Sequence, residues 1–319
     1  MADFQASPDP RRRHPANATI RVWNARDGWP LRTFDWPAPA GARRGSILFQ
    51  GGRGDFIEKY LESFAHWHAA GWRITAFDWR GQGGSGRTTP SAHVGHIDDF
   101  ATYIADLRDF WSDWAATAEG PCIAIGHSMG GHLVLRALVE QAIAPDAVVL
   151  VAPMLGLHAP IGPRFGESMA KLLAGFGKPT RAAWKGNERP HTLVSRQALL
   201  THDADRYADE LWWHGQNDAL LTGPPSWNWV LQGFASTRKL NADPGLVTLD
   251  IPTLLLVAEA DKLVDPRAAL ATAQRLPDAR VVRFGSESAH EILRETDPVR
   301  NRALAEIDIF LDARAGPQT

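Results

Sequence analysis

The sequence predicts an α/β fold: a mostly parallel eight-stranded sheet with helices on both faces and one long inserted segment. Three observations carry this. Short runs such as SILFQ, CIAIG and AVVLVA are apolar on both alternating faces, so both faces must be covered. Longer segments with helical periodicity alternate with these runs. The rhythm then breaks at about Gly156 and resumes at Ile251, as an insertion between two sheet strands would make it do.

Taken in order, strands are expected at Thr19–Asn24, Leu31–Trp36, Ser46–Gln50, Ile74–Asp78, Cys122–Gly126, Ala147–Ala152, Thr253–Ala258 and Arg280–Phe284. The first two are more polar and flank RDGWP, whose Asp-Gly and Pro mark a turn, so an antiparallel hairpin at the sheet edge is expected. Helices are expected over Phe56–Ala70, Ile97–Ala118, Met129–Gln141, Pro266–Leu276 and Asp297–Leu311. The resulting division is a disordered tail over 1–18, a core over 19–155 and 246–319, and an insertion over 156–245.

Composition narrows the function. A chain of 319 residues, 44% of them hydrophobic, can bury one large core with an insertion. With 34 basic against 36 acidic residues, the net charge of −2 gives no sign of a nucleic-acid partner. The single cysteine, Cys122, excludes an internal disulfide framework and fits a reducing compartment; at the start of an apolar run it reads as a buried small hydrophobe. No apolar run reaches the roughly 18–20 residues of a membrane span. MADFQASPDPRRRHP has arginines without a following apolar stretch, so a secretory signal is not expected and a cytoplasmic location is.

The chemistry centres on AIGHSMGGHLVLRAL, where a buried strand turns straight into a helix at Ser128. Such a pivot forces an unfavourable backbone conformation and presses together the positions two residues away, so glycine is required at Gly126 and Gly130. In return the hydroxyl stands exposed at a helix N-terminus, as in the G-x-S-x-G nucleophile elbow. A serine needs a base, and the base an acid; in this architecture both follow the serine in the chain. His290 is the only histidine after His214, and it falls just past the last expected strand. LLLVAEADKLVD offers Glu259, Asp261 and Asp265 as the acid. Asp261 lies in the turn proper, whereas Asp265 before Pro266 suits a helix N-cap.

Two backbone amides must hold an oxyanion, and Met129, directly after the serine, supplies one. Arg53 in the glycine-rich GGRGD loop is expected to supply the other, with Gly51 and Gly52 allowing the tight turn. No phosphate-loop pattern is present, and no cofactor is expected. His93 and His96, and likewise His66 and His68, lack the companion ligands or the shared face of a metal site, so no metal is expected either.

These residues resemble the α/β-hydrolase superfamily, and within it the lysophospholipase and monoacylglycerol-lipase-like branch, also described as serine aminopeptidase-like. The stretches that carry the resemblance are GGRGDFIEKY, FDWRGQGGSGR, GHSMGGHL, LLLVAEADKLVD and SAHEILRETDPVR, within about 45 to 312. It implies Ser128 as nucleophile, Asp261 as triad acid, His290 as base, and Gly52 and Arg53 on the oxyanion loop. The sequence departs from the family pattern at Gly51, where many relatives have histidine or proline, and at Asp55, where glutamate is usual. The DWRGQGGSGR loop is read as architectural, with Asp78 and Arg80 bonding its backbone.

The resemblance also implies that the insertion caps the site. Gly52 on the oxyanion loop and Trp184, Trp212, Trp213, Trp227 and Trp229 of the insertion are then candidate substrate contacts, with Phe165, Met169, Leu172 and Phe176 lining an acyl tunnel; the plainer reading of these aromatics is that they hold the cap together. The function expected is carboxylic ester hydrolysis of a lipid-like substrate, through an acyl-enzyme. The partner is a small-molecule acyl ester, and transient contact with a membrane surface is compatible with it. Peptidase, amidase or acyltransferase chemistry on the same fold is the alternative, and a silent ligand-binding relative a further one.

Overall fold

A computed structural model describes residues 10–41, 44–157, 178–183 and 196–315. All eight expected strands are present in one sheet: β1 Thr19–Asn24, β2 Pro30–Trp36, β3 Gly45–Gln50, β4 Trp72–Phe77, β5 Cys122–His127, β6 Ala147–Val151, β7 Thr253–Ala258 and β8 Ala279–Phe284. Their order is β1-β2-β4-β3-β5-β6-β7-β8. β1 and β2 form the predicted edge hairpin, with Thr19 opposite Asp35, and β2 is also antiparallel to β4. Every other pairing is parallel.

Alternation along the central strands sends side chains into two cores. Ile47, Phe49, Ile125, Val149 and Leu256 join one core, with α1 (Leu61–Ala69) and α8 (Asp297–Arg314) packed on it. Leu48, Ala124, Val148, Leu150 and Leu255 join the other, beneath α2 (Phe100–Ala115), α3 (Met129–Val139) and α7 (Pro266–Ala273). This is why β3, β5, β6 and β7 are apolar on both faces: helices cover each side.

Between β6 and β7, the described part of the insertion contains α4 (Arg196–Leu200), α5 (Ala204–Gln216) and α6 (Trp227–Ala242). Asp203 caps α5, accepting from the Arg206 amide at 2.8 Å, and Ser226 caps α6, accepting from Trp229 at 3.0 Å. No helix of the described residues is long and apolar enough to cross a membrane.

The disordered tail expected over 1–18 is corrected for its second half. Residues 10–18 are placed against the body, with Pro10–Arg12 forming a 3-10 turn. Arg12 pairs with Asp209 at 2.6 Å, His14 with Glu58 at 2.8 Å, and Trp213 donates its indole N–H to the Arg11 carbonyl at 3.0 Å. The order comes from polar contacts with residues far along the chain, which no local pattern announces. Cys122 is half-buried rather than buried, and burial pushes its thiol up from the ordinary value.

Candidate active site

Ser128 sits between β5 and α3 with φ 52° and ψ −118°, the left-handed region that side chains avoid. Its own carbonyl accepts from His132 at 3.1 Å and Met154 at 2.9 Å, and its amide donates to Val151 at 3.0 Å, so neighbours fix the strained turn from both sides. A Cβ on Gly126 would lie 2.7 Å from the Gly130 carbonyl oxygen, and one on Gly130 would lie 2.5 Å from that of Gly51. Gly131 is equally constrained, 2.9 Å from the Gly126 carbonyl by the same measure.

The loop after β8 brings His290 to the serine. His290 Nε2 is 2.8 Å from Ser128 Oγ, and its Nδ1 is 2.5 Å from Asp261 Oδ2. The other oxygen of Asp261 accepts from the amides of Leu263 at 2.7 Å and Val264 at 3.1 Å, which aims the carboxylate. All three side chains are buried. Burial works against a charged His290, but the Asp261 carboxylate overrides it and holds the imidazole above its ordinary pKa. Of the other two acids, Asp265 caps α7 by accepting from Arg267 at 3.0 Å, and Glu259 turns to the surface toward Arg283.

The loop after β3 runs beside the serine. A Cβ on Gly52 would fall 2.9 Å from that of Ser128, so the missing side chain is what allows the approach. Gly52, a candidate substrate contact, commits its N–H to Asp55 Oδ2 at 2.6 Å. The Gly54 amide donates to Gln82 Oε1 at 2.9 Å. Arg53 donates from Nη1 to the Gly223 carbonyl at 2.9 Å and lies 5.7 Å from the Trp229 ring. Met129 opens α3, where an amide has no acceptor within its own helix.

Sequence reasoning missed Asp55 and Gln82 as holders of this loop, although both stand in motifs it singled out. Asp55 is buried, and Oδ2 also accepts from Tyr60 at 2.7 Å and lies 3.1 Å from His127 Nδ1. Its Oδ1 takes Lys59 at 2.6 Å, and Lys59 reaches on to Glu291 at 2.6 Å and Glu210 at 3.1 Å. Asp78 holds loop backbone as expected, accepting from Gly84 at 2.7 Å, and from Ile57 at 2.9 Å. Arg80 does not; it forms ion pairs with Asp27 and Asp106. His96 packs through Ser226 at 2.7 Å, and His66 pairs with Asp308 at 2.7 Å.

Of the candidate substrate tryptophans, Trp229 is buried between Phe100 and the Arg53 side chain. Trp227 is half-buried, its amide bonded to Arg181 at 3.1 Å. Trp212 and Trp213 are corrected: they pack on the N-terminal arm, Trp212 near Arg12 and Trp213 against His14. Trp184, like Phe165, Met169, Leu172 and Phe176, lies outside the described residues.

The family profile described as serine aminopeptidase, S33, matches residues 41–297 of this chain. The chain belongs to this family of α/β-hydrolases. Lysophospholipase L2 of Escherichia coli K12 is 30% identical over 279 residues, 83% of this chain and 80% of that one. Monoglyceride lipase of Rattus norvegicus is 23% identical over 70% of this chain and 72% of its own. In three dimensions the fold is shared with a soluble variant of monoglyceride lipase from Saccharomyces cerevisiae, solved with a substrate analogue. That match has a TM-score of 0.74 at 21% identity and covers 96% and 99% of the two chains.

Proposed function

We propose that this chain is a serine hydrolase of carboxylic esters, acting on a lipid-like monoester such as a lysophospholipid or a monoacylglycerol. The observation that carries the reading is the unbroken contact chain from Ser128 through His290 to Asp261, at 2.8 and 2.5 Å. Ser128 Oγ attacks the ester carbonyl while His290 Nε2 takes its proton, and His290 then delivers that proton to the departing alcohol. Asp261 keeps the imidazole oriented and steadies its charged form. Water, deprotonated by the same imidazole, attacks the acyl-enzyme and releases the acid, returning the proton to Ser128. The amides of Met129 and Arg53 hold the oxyanion in both steps; those of Gly52 and Gly54 are engaged elsewhere.

Residues 156–245 act as a cap over this site, with Trp229 and Trp227 as its substrate-side aromatics. Each acyl methylene buried there contributes about 0.8 kcal/mol, so affinity rises with chain length until the cavity ends. The lone cysteine supports a cytoplasmic setting. A panel of p-nitrophenyl esters and lysolipids of graded length tests the proposal, with anilides and added alcohol acceptors to separate amide cleavage and acyl transfer. Ester turnover that falls by about three or more orders of magnitude in Ser128→Ala supports it. Turnover that survives that change contradicts it.

A further inference from the structure

The motif SAHEILRETDPVR holds His290, but the triad uses only one of its residues. The amides of the two residues flanking His290 are tied to the insertion, one directly and one through Glu295. The Glu291 amide donates to the Leu200 carbonyl, at the end of α4, at 2.7 Å. The Ala289 amide donates to the Glu295 carboxylate at 2.7 Å. That carboxylate is held in turn by His202, whose amide lies 3.1 Å from Oε2 and whose Nδ1 lies 3.0 Å from Oε1. Glu295 and Thr201 are fully buried. Thr201 Oγ1 donates to the Arg294 carbonyl at 2.7 Å, and Arg206 Nη1 to the Glu295 carbonyl at 2.8 Å. Arg294 donates back to the Arg206 carbonyl, and pairs with Glu210 on α5 at 3.3 Å.

We infer that Glu295 is a positioning residue for the general base, and that residues 200–206 of the insertion and Glu295 together clamp the His290 peptide. The inference rests on the reading of His290 as the base. Its physical basis is that a short loop on its own leaves an imidazole free to drift, and a displacement near 1 Å costs about a hundredfold in rate. A carboxylate shared between the Ala289 amide and the His202 turn removes that freedom from one side, and the Leu200 carbonyl removes it from the other. The insertion thus holds the catalytic side chain as well as facing the substrate, so a change in the α4–α5 segment is transmitted to the proton-transfer step.

Glu295→Gln keeps the shape but cannot satisfy both donors in the same way. The measurement is kcat per fluorophosphonate-reactive site, alongside KM and the thermal midpoint. A clamp predicts kcat per site lower by about 10- to 100-fold with KM within about threefold. A merely structural role would lower the midpoint and the number of reactive sites, leaving kcat per site within about twofold of wild type, and that result overturns the inference. Should Glu295→Gln fail to fold, His202→Ala decides, because it removes a half-exposed ring: a fall of about threefold or more in kcat per site supports the clamp and an unchanged value overturns it. A wild type whose Ser128 does not react with the probe overturns the reading of the site, and the inference with it.

Discussion

Gly52 and Ser128 approach so closely that a Cβ on the glycine would stand 2.9 Å from that of the serine. The loop after β3 and Ser128 are therefore packed as one surface, and the glycines around it are positional requirements rather than flexible joints.

Alanine at Gly130 meets backbone, not a movable side chain, since the carbonyl of Gly51 lies 2.5 Å from the added carbon. Gly130→Ala is expected to destabilise the fold by about 1–3 kcal/mol and to disable the elbow. Denaturant unfolding and probe labelling read the two effects separately.

The pH dependence follows from His290. Only the neutral imidazole can accept the serine proton, so activity rises with pH through its pKa. Because Asp261 holds that value above the ordinary 6.5, the acid limb of kcat/KM should centre above 6.5. Asp261→Asn removes the cause, lowering both the midpoint of that limb and the rate. The stability sign is opposite: the pair stabilises the fold most below the unfolded histidine's pKa, and this is lost as pH rises through the folded value. A pH–rate profile for both proteins checks the first claim.

Lys59 is buried against Asp55, Glu210 and Glu291. Burial alone would raise these carboxyls, but Lys59, joined at Glu210 and Glu291 by Arg294, leads the interactions that hold all three below their usual range. Their stabilisation is thus present above the unfolded carboxyl range and lost as pH falls through the folded values. Lys59→Met should cost about 3–5 kcal/mol near neutral pH, because it strands buried charge. Urea unfolding at neutral and acid pH measures both.

The sheet and the turn at Ser128 were legible for a common reason. Strands covered on both faces must be apolar throughout, as in AVVLVA, and a strained turn needs glycine at fixed spacing, as around Ser128. The N-terminal arm was not legible, because Arg11, Arg12 and His14 form no local pattern and their partners Asp209 and Glu58 lie elsewhere in the chain. Nor was the charged cluster beside His290: nothing in IEKY itself shows that Lys59 and Glu58 are buried, which α5 and the arm bring about. Trp212 and Trp213 misled for the same reason, since a tryptophan's type does not say which apolar surface it covers.

The tryptophans now separate into two groups. Trp229 abuts Arg53, so Trp229→Ala should raise KM for long acyl chains by about tenfold or more. Trp213 packs on the arm, so Trp213→Ala should lower the thermal midpoint and leave the chain-length preference unchanged. The ester panel, run on both variants, distinguishes them.

The most direct test of the central claim is fluorophosphonate labelling followed by mass-spectrometric mapping, in wild type and in His290→Ala. A relay from serine to imidazole predicts one adduct, on Ser128, forming at least about a hundredfold more slowly once the imidazole is gone. An adduct on another serine, or an unchanged rate without His290, would contradict it.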